Sequence, residues 1–308
     1  MNVLITGITG FSGQFLLNYI RDSSVPACTI YGLVRRLGVT GSGMYIPVHG
    51  DLTDPGRINE LVQEIAPDVV IHLAGLTHGS LSEMLDANVQ CTENLLSAIL
   101  LSGLHPRIVV IGSSAEYGYQ GEEPISEDAP VFPVSIYGIT KAAQTSLSHL
   151  YSIREHLSVC IVRPFNLIGP GQPFSFVCGN IVHQMQMRKK GLIEGVSLKG
   201  SNSGRDFIDI RDAVRAYWML ASLPEDDTQF LGIYNVGSGN SYSIQDIFTF
   251  LEEISGVTSN VTFQGNLPDL IPVQRGDISK IHQKTGWSPE ISIQTSLFDM
   301  FTYEHTTA

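Results

Sequence analysis

The chain has 308 residues, 43% hydrophobic and 16% charged, with 30 acidic against 18 basic side chains and a formal net charge of -12. That length can bury one large core or two smaller ones. The acidic balance argues against a nucleic-acid partner, whose phosphates are held largely by Lys and Arg, but leaves room for a nucleotide bound by a few local arginines. No apolar run reaches the roughly 18 residues of a membrane span, and the chain enters a strand pattern at once with no basic leader. The expectation is a cytoplasmic protein with no membrane association.

The first strand candidate, Asn2–Thr6, runs straight into TGITGFSG and then a helical pattern carrying Phe15, Leu16, Tyr19 and Ile20. Gly7, Gly10 and Gly13 therefore sit where a phosphate-binding turn requires them, between a strand and a helix N-terminus. One glycine allows the tight turn, one lets backbone N–H groups approach a pyrophosphate, and one permits close helix packing. The second strand, Thr29–Val34, ends in Arg35 and Arg36 with no carboxylate. Since NAD sites usually place Asp or Glu there, while an arginine accommodates a 2′-phosphate, NADP(H) is favoured, with NAD(H) as the alternative. A solvated arginine pair is the competing reading of those two residues.

Further strand candidates are Ile46–His49, Val69–Leu73, Arg107–Ser113 and Ser158–Pro164, with a helical stripe at Ile58, Leu61, Val62 and Ile65. The strands read as continuous apolar runs rather than alternating ones, so both faces should be covered. This predicts an α/β chain with a doubly wound parallel sheet. Strand RIVVIGSS delivers Ser113 and Ser114 to the carboxyl edge of that sheet. Tyr137 and Lys141 then stand at i and i+4 on one helix face, about 5.4 Å apart along the axis. A tyrosine needs about 3 pKa units of lowering, about 4 kcal/mol, to act as a base near pH 7. A neighbouring ammonium pushes that way. With a serine hydroxyl to hold the substrate oxygen, the set suits proton transfer beside a hydride carrier.

After Pro164 the texture changes to the Gly- and Pro-rich NLIGPGQPFSF, then a strand and helix in RDFIDIRDAVRAYWMLAS and a resumed pattern from LGIYNVGSG. The predicted organisation is a dinucleotide-binding domain over 1–165 plus about 205–236, and a smaller C-terminal substrate-binding domain over about 166–204 plus 237–308. Substrate would lie between them. Cys28, Cys91, Cys160 and Cys178 are widely spaced without any CxxC pair, which reads as reduced structural thiols and implies no metal site.

At this point the chain resembles the extended short-chain dehydrogenase/reductase family. The resemblance rests on TGxxGxxG at Thr6–Gly13, GDLTD at Gly50–Asp54, HLAG at His72–Gly75, the Tyr137–Lys141 pair, RPFN at Arg163–Asn166 and GWSP at Gly286–Pro289. It covers nearly the whole length and implies a Rossmann sheet. By this resemblance Thr9, Phe11 and Ser12 join the glycines at the phosphates, and Asp51 and Leu52 meet the adenine. Leu73, Ala74, Gly75 and Pro164 line the cofactor, while Lys141 holds the nicotinamide ribose beside Tyr137. A helix or turn cap is the competing role for Asp51.

GSSAEYG, SIYGITKAAQ, RPFNLIGPGQ and RDFIDIRDAVRAYW are most similar to the GDP-mannose 4,6-dehydratase and GDP-4-keto-6-deoxy-mannose reductase branch. Counting back from Tyr117–Gly118 places Ser113 as the catalytic hydroxyl and Ala115 where dehydratases carry their glutamate base. Glu116 comes one residue late, where a side chain on an extended segment points the other way unless a bulge intervenes. The implied reaction is NADPH-dependent reduction of a 4-keto nucleotide-diphosphate sugar, of the GDP-4-keto-6-deoxy-mannose to GDP-rhamnose type. The alternative is a 4-epimerase or 4,6-dehydratase with tightly bound NAD(P). Implied substrate contacts are Thr77, Ser114, Asn166, Asn180, Arg205 and Arg275, with His78 a weaker candidate. Pairing of Arg205 with Asp206 and of Arg275 with Asp277 is the competing reading. The apolar stripe Leu147, Leu150 and Tyr151 on the Tyr137 helix implies, by the same resemblance, a homodimer, with core packing against the sheet as the competing reading.

Overall fold

The computed structural model describes residues 1–22, 28–36, 43–199, 202–224, 230–264 and 270–303. Strands β1 (Asn2–Thr6), β2 (Thr29–Val34), β3 (Ile46–His49), β4 (Val69–His72), β5 (Arg107–Ile111) and β6 (Val159–Pro164) form at or within two residues of their predicted bounds. Between them lie α1 (Phe11–Asp22), α2 (Pro55–Ile65), α3 (Leu81–Leu85), α4 (Cys91–Ser102) and α5 (Ile136–Arg154). Asp54 caps α2 through the Arg57 N–H, with Pro55 in the first turn where its missing N–H costs nothing.

Every pairing in the main sheet is parallel. Adding β11 (Gly232–Val236), the seven strands run in the order β11-β6-β5-β4-β1-β2-β3. Chain order reverses between β1 and β4, so a crevice opens outside their carboxyl ends. One face of the sheet packs on α1 and α7 (Ile210–Ala221) through Leu16, Ile20, Val214 and Trp218. The other packs on α2 and α4 through Leu61, Val62, Leu95 and Ile99. Burial on both faces accounts for the uninterrupted apolar strands: β4 and β6 are buried at every position.

The C-terminal half supplies the short parallel pair β7 (Asn166–Ile168) and β10 (Phe207–Asp209), helix α6 (Val177–Lys189), and the parallel pair β8 (Gly195–Lys199) and β13 (Asn260–Gln264). It also contains β9 (Gly204–Arg205) against β12 (Tyr242–Ser243), then α8 (Ile244–Ser255), α9 (Ser279–Thr285) and α10 (Ile293–Thr302). Ile181, Met185, Phe207, Ile247, Leu251 and Leu297 form a core separate from the two beside the main sheet. The GWSP segment is fixed by the buried Asp212: its carbonyl accepts from the Trp287 indole N–H at 3.0 Å, and its carboxylate from the Glu290 and Ile291 N–H groups.

One predicted bound changes, and one join goes beyond the predicted pattern. Strand β5 stops at Ile111 rather than Ser113, because the Ser113 hydroxyl caps a 3-10 turn over Ser114–Glu116. A π turn, Asp86–Gln90, joins α3 to α4 and aims the buried Asn88 side chain at the loop after β4. The cysteines are all free, with Cys91, Cys160 and Cys178 buried and Cys28 partly so.

Candidate active site

The crevice holds two adjoining cavities. The first, of about 490 Å³, is lined by Gly7, Thr9 and Gly10, by Arg35 at the end of β2, by Asp51 and Leu52, and by Leu73 to Leu76. Gly7 has φ +72, and a Cβ there would lie 2.8 Å from the Ala74 nitrogen, so this turn admits only glycine. A Cβ on Gly13 would meet the Gly7 and Ile8 carbonyl oxygens at 2.4 and 2.5 Å, whereas one on Gly10 would approach only the Gly7 oxygen, at 3.2 Å. Gly10 is therefore bare on the cavity side, beside the start of α1, as an incoming pyrophosphate requires.

Arg35 lines the cavity and Arg36 does not. Among the described residues after β2, Arg35 and Arg36, there is no carboxylate to repel a 2′-phosphate. Asp51 is not the helix cap, since Asp54 has that role; instead its carboxylate accepts from the Thr53 N–H at 3.0 Å and hydroxyl at 2.9 Å. These bonds, with Arg35 nearby, hold it below the usual carboxylate range. Its anion is thus preformed in this cavity. A dinucleotide would fit this geometry, with the glycine turn free to take its phosphates and Arg35 within the same cavity.

The second cavity, about 510 Å³, continues from the glycine turn. Phe11, Ser12, Gly13, Leu73, Gly75 and Pro164 line its cofactor side, and Ser113, Ser114, Ala115 and Tyr137 face them. Ser113 stands beside the Tyr137 phenol and acts to lower its pKa. The Ser113 hydroxyl in turn accepts from the Ala115 N–H at 3.1 Å, which fixes its rotamer.

Lys141 is buried beneath this pair. Its Nζ donates to the Ile111 carbonyl and to Gln144 Oε1, both at 2.6 Å. Burial pushes the ammonium down to about 8, with Glu116 opposing. The phenol departs from the sequence expectation. Burial and the Glu116 charge push Tyr137 up to about 12, with Ser113 acting against them. The protein's own groups therefore keep Tyr137 protonated near neutrality, which suits a proton donor.

Glu116 cannot act in the cleft. It is fully buried, accepts from the Ser113 N–H at 2.8 Å, and takes the Arg163 guanidinium at 2.8 Å on its other oxygen. Arg163 also lies over the Tyr117 ring, 4.5 Å from its centroid. No bulge turns the carboxylate back, and the residues of this turn that line the cavity are Ser113, Ser114 and Ala115, not Glu116.

At the far end of the second cavity stand Thr77, His78, Asn166 and Arg205. The Arg205 guanidinium donates to the Ile271 carbonyl at 2.6 Å, while the Asp206 carboxylate is occupied by Ser238 and by the Gly239 and Gly276 N–H groups. The two predicted contacts Asn180 and Arg275 lie outside the lining. Asn180 Oδ1 accepts from Gln184 Nε2 at 2.5 Å, turned along α6. In the second segment the inward residue is Gln274, whose amide nitrogen donates to the Ser114 carbonyl at 3.2 Å.

Sequence reasoning also passed over Asn88 and Gln144. Asn88 Nδ2 donates to the Leu76 carbonyl and to Thr140 Oγ1, both at 2.9 Å, while its Oδ1 accepts from the Leu76 N–H at 2.7 Å. It thus pins the cavity-lining loop to α5. Only the π turn, invisible in helical periodicity, brings it there.

The family model for GDP-mannose 4,6-dehydratase matches residues 4–300. The GDP-6-deoxy-D-mannose reductase of Pseudomonas aeruginosa is 32% identical, over 96% of this chain and 94% of its own length. The GDP-6-deoxy-D-talose 4-dehydrogenase of Aggregatibacter actinomycetemcomitans is 29% identical, over 91% and 90%. The solved structure of RMD from Pseudomonas aeruginosa complexed with NADPH superimposes with a TM-score of 0.85 at 30% identity, covering 98% of this chain and 97% of that one.

Proposed function

This chain belongs to the GDP-mannose 4,6-dehydratase family of extended short-chain dehydrogenases/reductases, and on that premise we propose that it reduces the 4-keto group of a nucleotide-linked 6-deoxyhexose, of the GDP-4-keto-6-deoxy-mannose type, at the expense of NADPH. The observation that carries this reading is at the turn after β5. Ala115 faces the cavity and the neighbouring carboxylate, Glu116, is consumed by Arg163 behind it. Water elimination needs a base at the sugar, and a methyl group supplies none. Reduction needs only a hydride, a proton donor and a hydrogen bond to the substrate oxygen.

Bound NADPH would supply the hydride. Ser113 positions the carbonyl oxygen and Tyr137, kept protonated by its surroundings, delivers the proton to it. Lys141 contributes a buried positive charge that favours the developing phenolate. Arg205 stands where a diphosphate would pass, and its guanidinium fork suits phosphate oxygens. The proposed substrate-binding domain, about 166–204 plus 237–308, is supported by a separate core, to which Phe207 of the adjoining segment also contributes.

A homodimer through α5 belongs to the same proposal. The inward face of that helix is polar, with Thr140, Lys141, Gln144 and Ser148 buried, whereas its outer face is apolar, with Leu150 51% and Ile153 62% exposed. Such an inversion exposes apolar surface that a second copy would cover. The cytoplasmic assignment is supported by the absence, among the described residues, of any helix long and apolar enough to cross a membrane.

The test is stoichiometric. NADPH mixed with GDP-4-keto-6-deoxy-mannose should lose its absorbance at 340 nm mole for mole with product; a 4-epimerase or dehydratase with tightly bound cofactor would interconvert sugars with no net loss.

A further inference from the structure

Behind Lys141 runs a buried chain of hydrogen bonds that the proposed reaction does not use. Thr6 Oγ1 lies 2.7 Å from His72 Nδ1, His72 Nε2 lies 2.9 Å from Thr92 Oγ1, and Gln144 Nε2 donates to the same Thr92 oxygen at 2.8 Å. Gln144 Oε1 then accepts from Lys141. Thr6, His72, Thr92 and Gln144 are all fully buried.

Proton counting fixes every direction in this chain. The one Thr92 hydroxyl proton goes to the Asn88 carbonyl, at 2.8 Å, which can only accept. His72 Nε2 must therefore carry hydrogen and donate to Thr92. Thr6 in turn gives its hydroxyl proton to a bare His72 Nδ1, and accepts from the Ala74 N–H at 3.3 Å. His72 is thus a neutral imidazole of one tautomer, with no place for a second proton. Burial, reinforced by the Lys141 charge, pushes it down to about 3.

We propose that Gln144, set through Thr92 by the neutral His72, is a positioning residue for Lys141. An ammonium has three N–H groups, and Ile111 and Gln144 hold two of them. The third is left for the cleft, where a Cβ on Gly75 would come within 3.8 Å of Nζ. The inference rests on the role proposed above for Lys141. The charged and titratable groups around that ammonium are Glu116 from the turn after β5, Arg163 from β6 behind it, His72 from β4 and Tyr137 from its own helix. Glu116 and Arg163 offset one another and His72 is neutral, so the Gln144 dipole is the neighbour that a single substitution can change without breaking an ion pair.

The experiment compares pH profiles of NADPH oxidation with GDP-4-keto-6-deoxy-mannose, and of NADPH binding by fluorescence titration, for Gln144→Met, Gln144→Glu, His72→Leu and His72→Gln, with Lys141→Met as control. Gln144→Met should lower kcat about tenfold, the worth of one hydrogen bond to a charged group, and move the alkaline limb to lower pH. Gln144→Glu should move that limb to higher pH. His72→Leu should copy Gln144→Met, and His72→Gln, which keeps an N–H for Thr92, should restore most of the loss. If Lys141→Met abolishes turnover while Gln144→Met leaves the profile and NADPH binding unmoved, or lowers only the Tm, the relay is refuted alone. Undiminished turnover in Lys141→Met refutes the site reading and the relay with it.

Discussion

The two cavities of the crevice have nearly equal volumes, about 490 and 510 Å³, yet they are built from different material. The dinucleotide end is shaped by backbone, with glycines whose added Cβ atoms would strike carbonyl oxygens or a peptide nitrogen. The sugar end is shaped by side chains, such as His78, Phe176, Arg205 and Gln274, that arrive from loops and short elements in both halves of the chain. A backbone cradle tolerates little and recognises what all its ligands share. A side-chain wall can be rebuilt one residue at a time, so it is where specificity resides.

The largest break in that contrast lies where the ends meet. Tyr137→Phe should lower kcat about 10³-fold, within the range for a lost general acid, while NADPH affinity stays within twofold; unaltered turnover would falsify its role. Next, Gly13→Ala should cost about 3 kcal/mol, read as a drop in Tm together with lost NADPH binding, because two carbonyl oxygens stand within 2.5 Å of the new methyl. Arg35→Ala should weaken NADPH by about 2 kcal/mol and leave NADH unchanged. Equal losses for both cofactors, by isothermal titration, would remove Arg35 from the 2′-phosphate.

Beneath both ends, His72 makes stability depend on pH. Its folded pKa of about 3 lies below the ordinary 6.5. As pH falls below 6.5 the unfolded chain takes up a proton that the fold refuses, so stability declines toward pH 3 by about 1.4 kcal/mol per unit. Replacing His72 with Gln should flatten that arm of the Tm profile. The smallest effect belongs to the sugar wall. Gln274→Leu should raise the sugar KM severalfold, about 1 kcal/mol, with NADPH binding unchanged; a larger change in kcat than in KM would place Gln274 nearer the chemistry.

What was legible in the sequence follows the same division. The glycine turn, the Arg35 terminus and the Tyr137–Lys141 pair are local patterns whose meaning is set by spacing within a strand or helix, and each strand of the first half emerged close to its expected bounds. Gln274 was missed in favour of Arg275 because the stretch before β-bridged Gly276 lacks any periodicity to say which side chain turns inward. Asn180 stands outside the lining for the opposite reason: it is on a regular helix, but the face of α6 that meets the cavity is decided by packing. The His72–Thr92–Gln144 chain was unreadable because it joins three elements separated by 20 and 52 residues.

The Glu116–Arg163 pair has a consequence for redesign. A water-eliminating variant would be sought first by writing a glutamate at position 115, yet the cation that could steady a carboxylate at this turn already serves Glu116. Moving that carboxylate instead would strand a guanidinium in the core, at a cost of several kcal/mol. Converting this chain to another chemistry therefore begins behind the cleft, with a new partner for Arg163, before any change inside it.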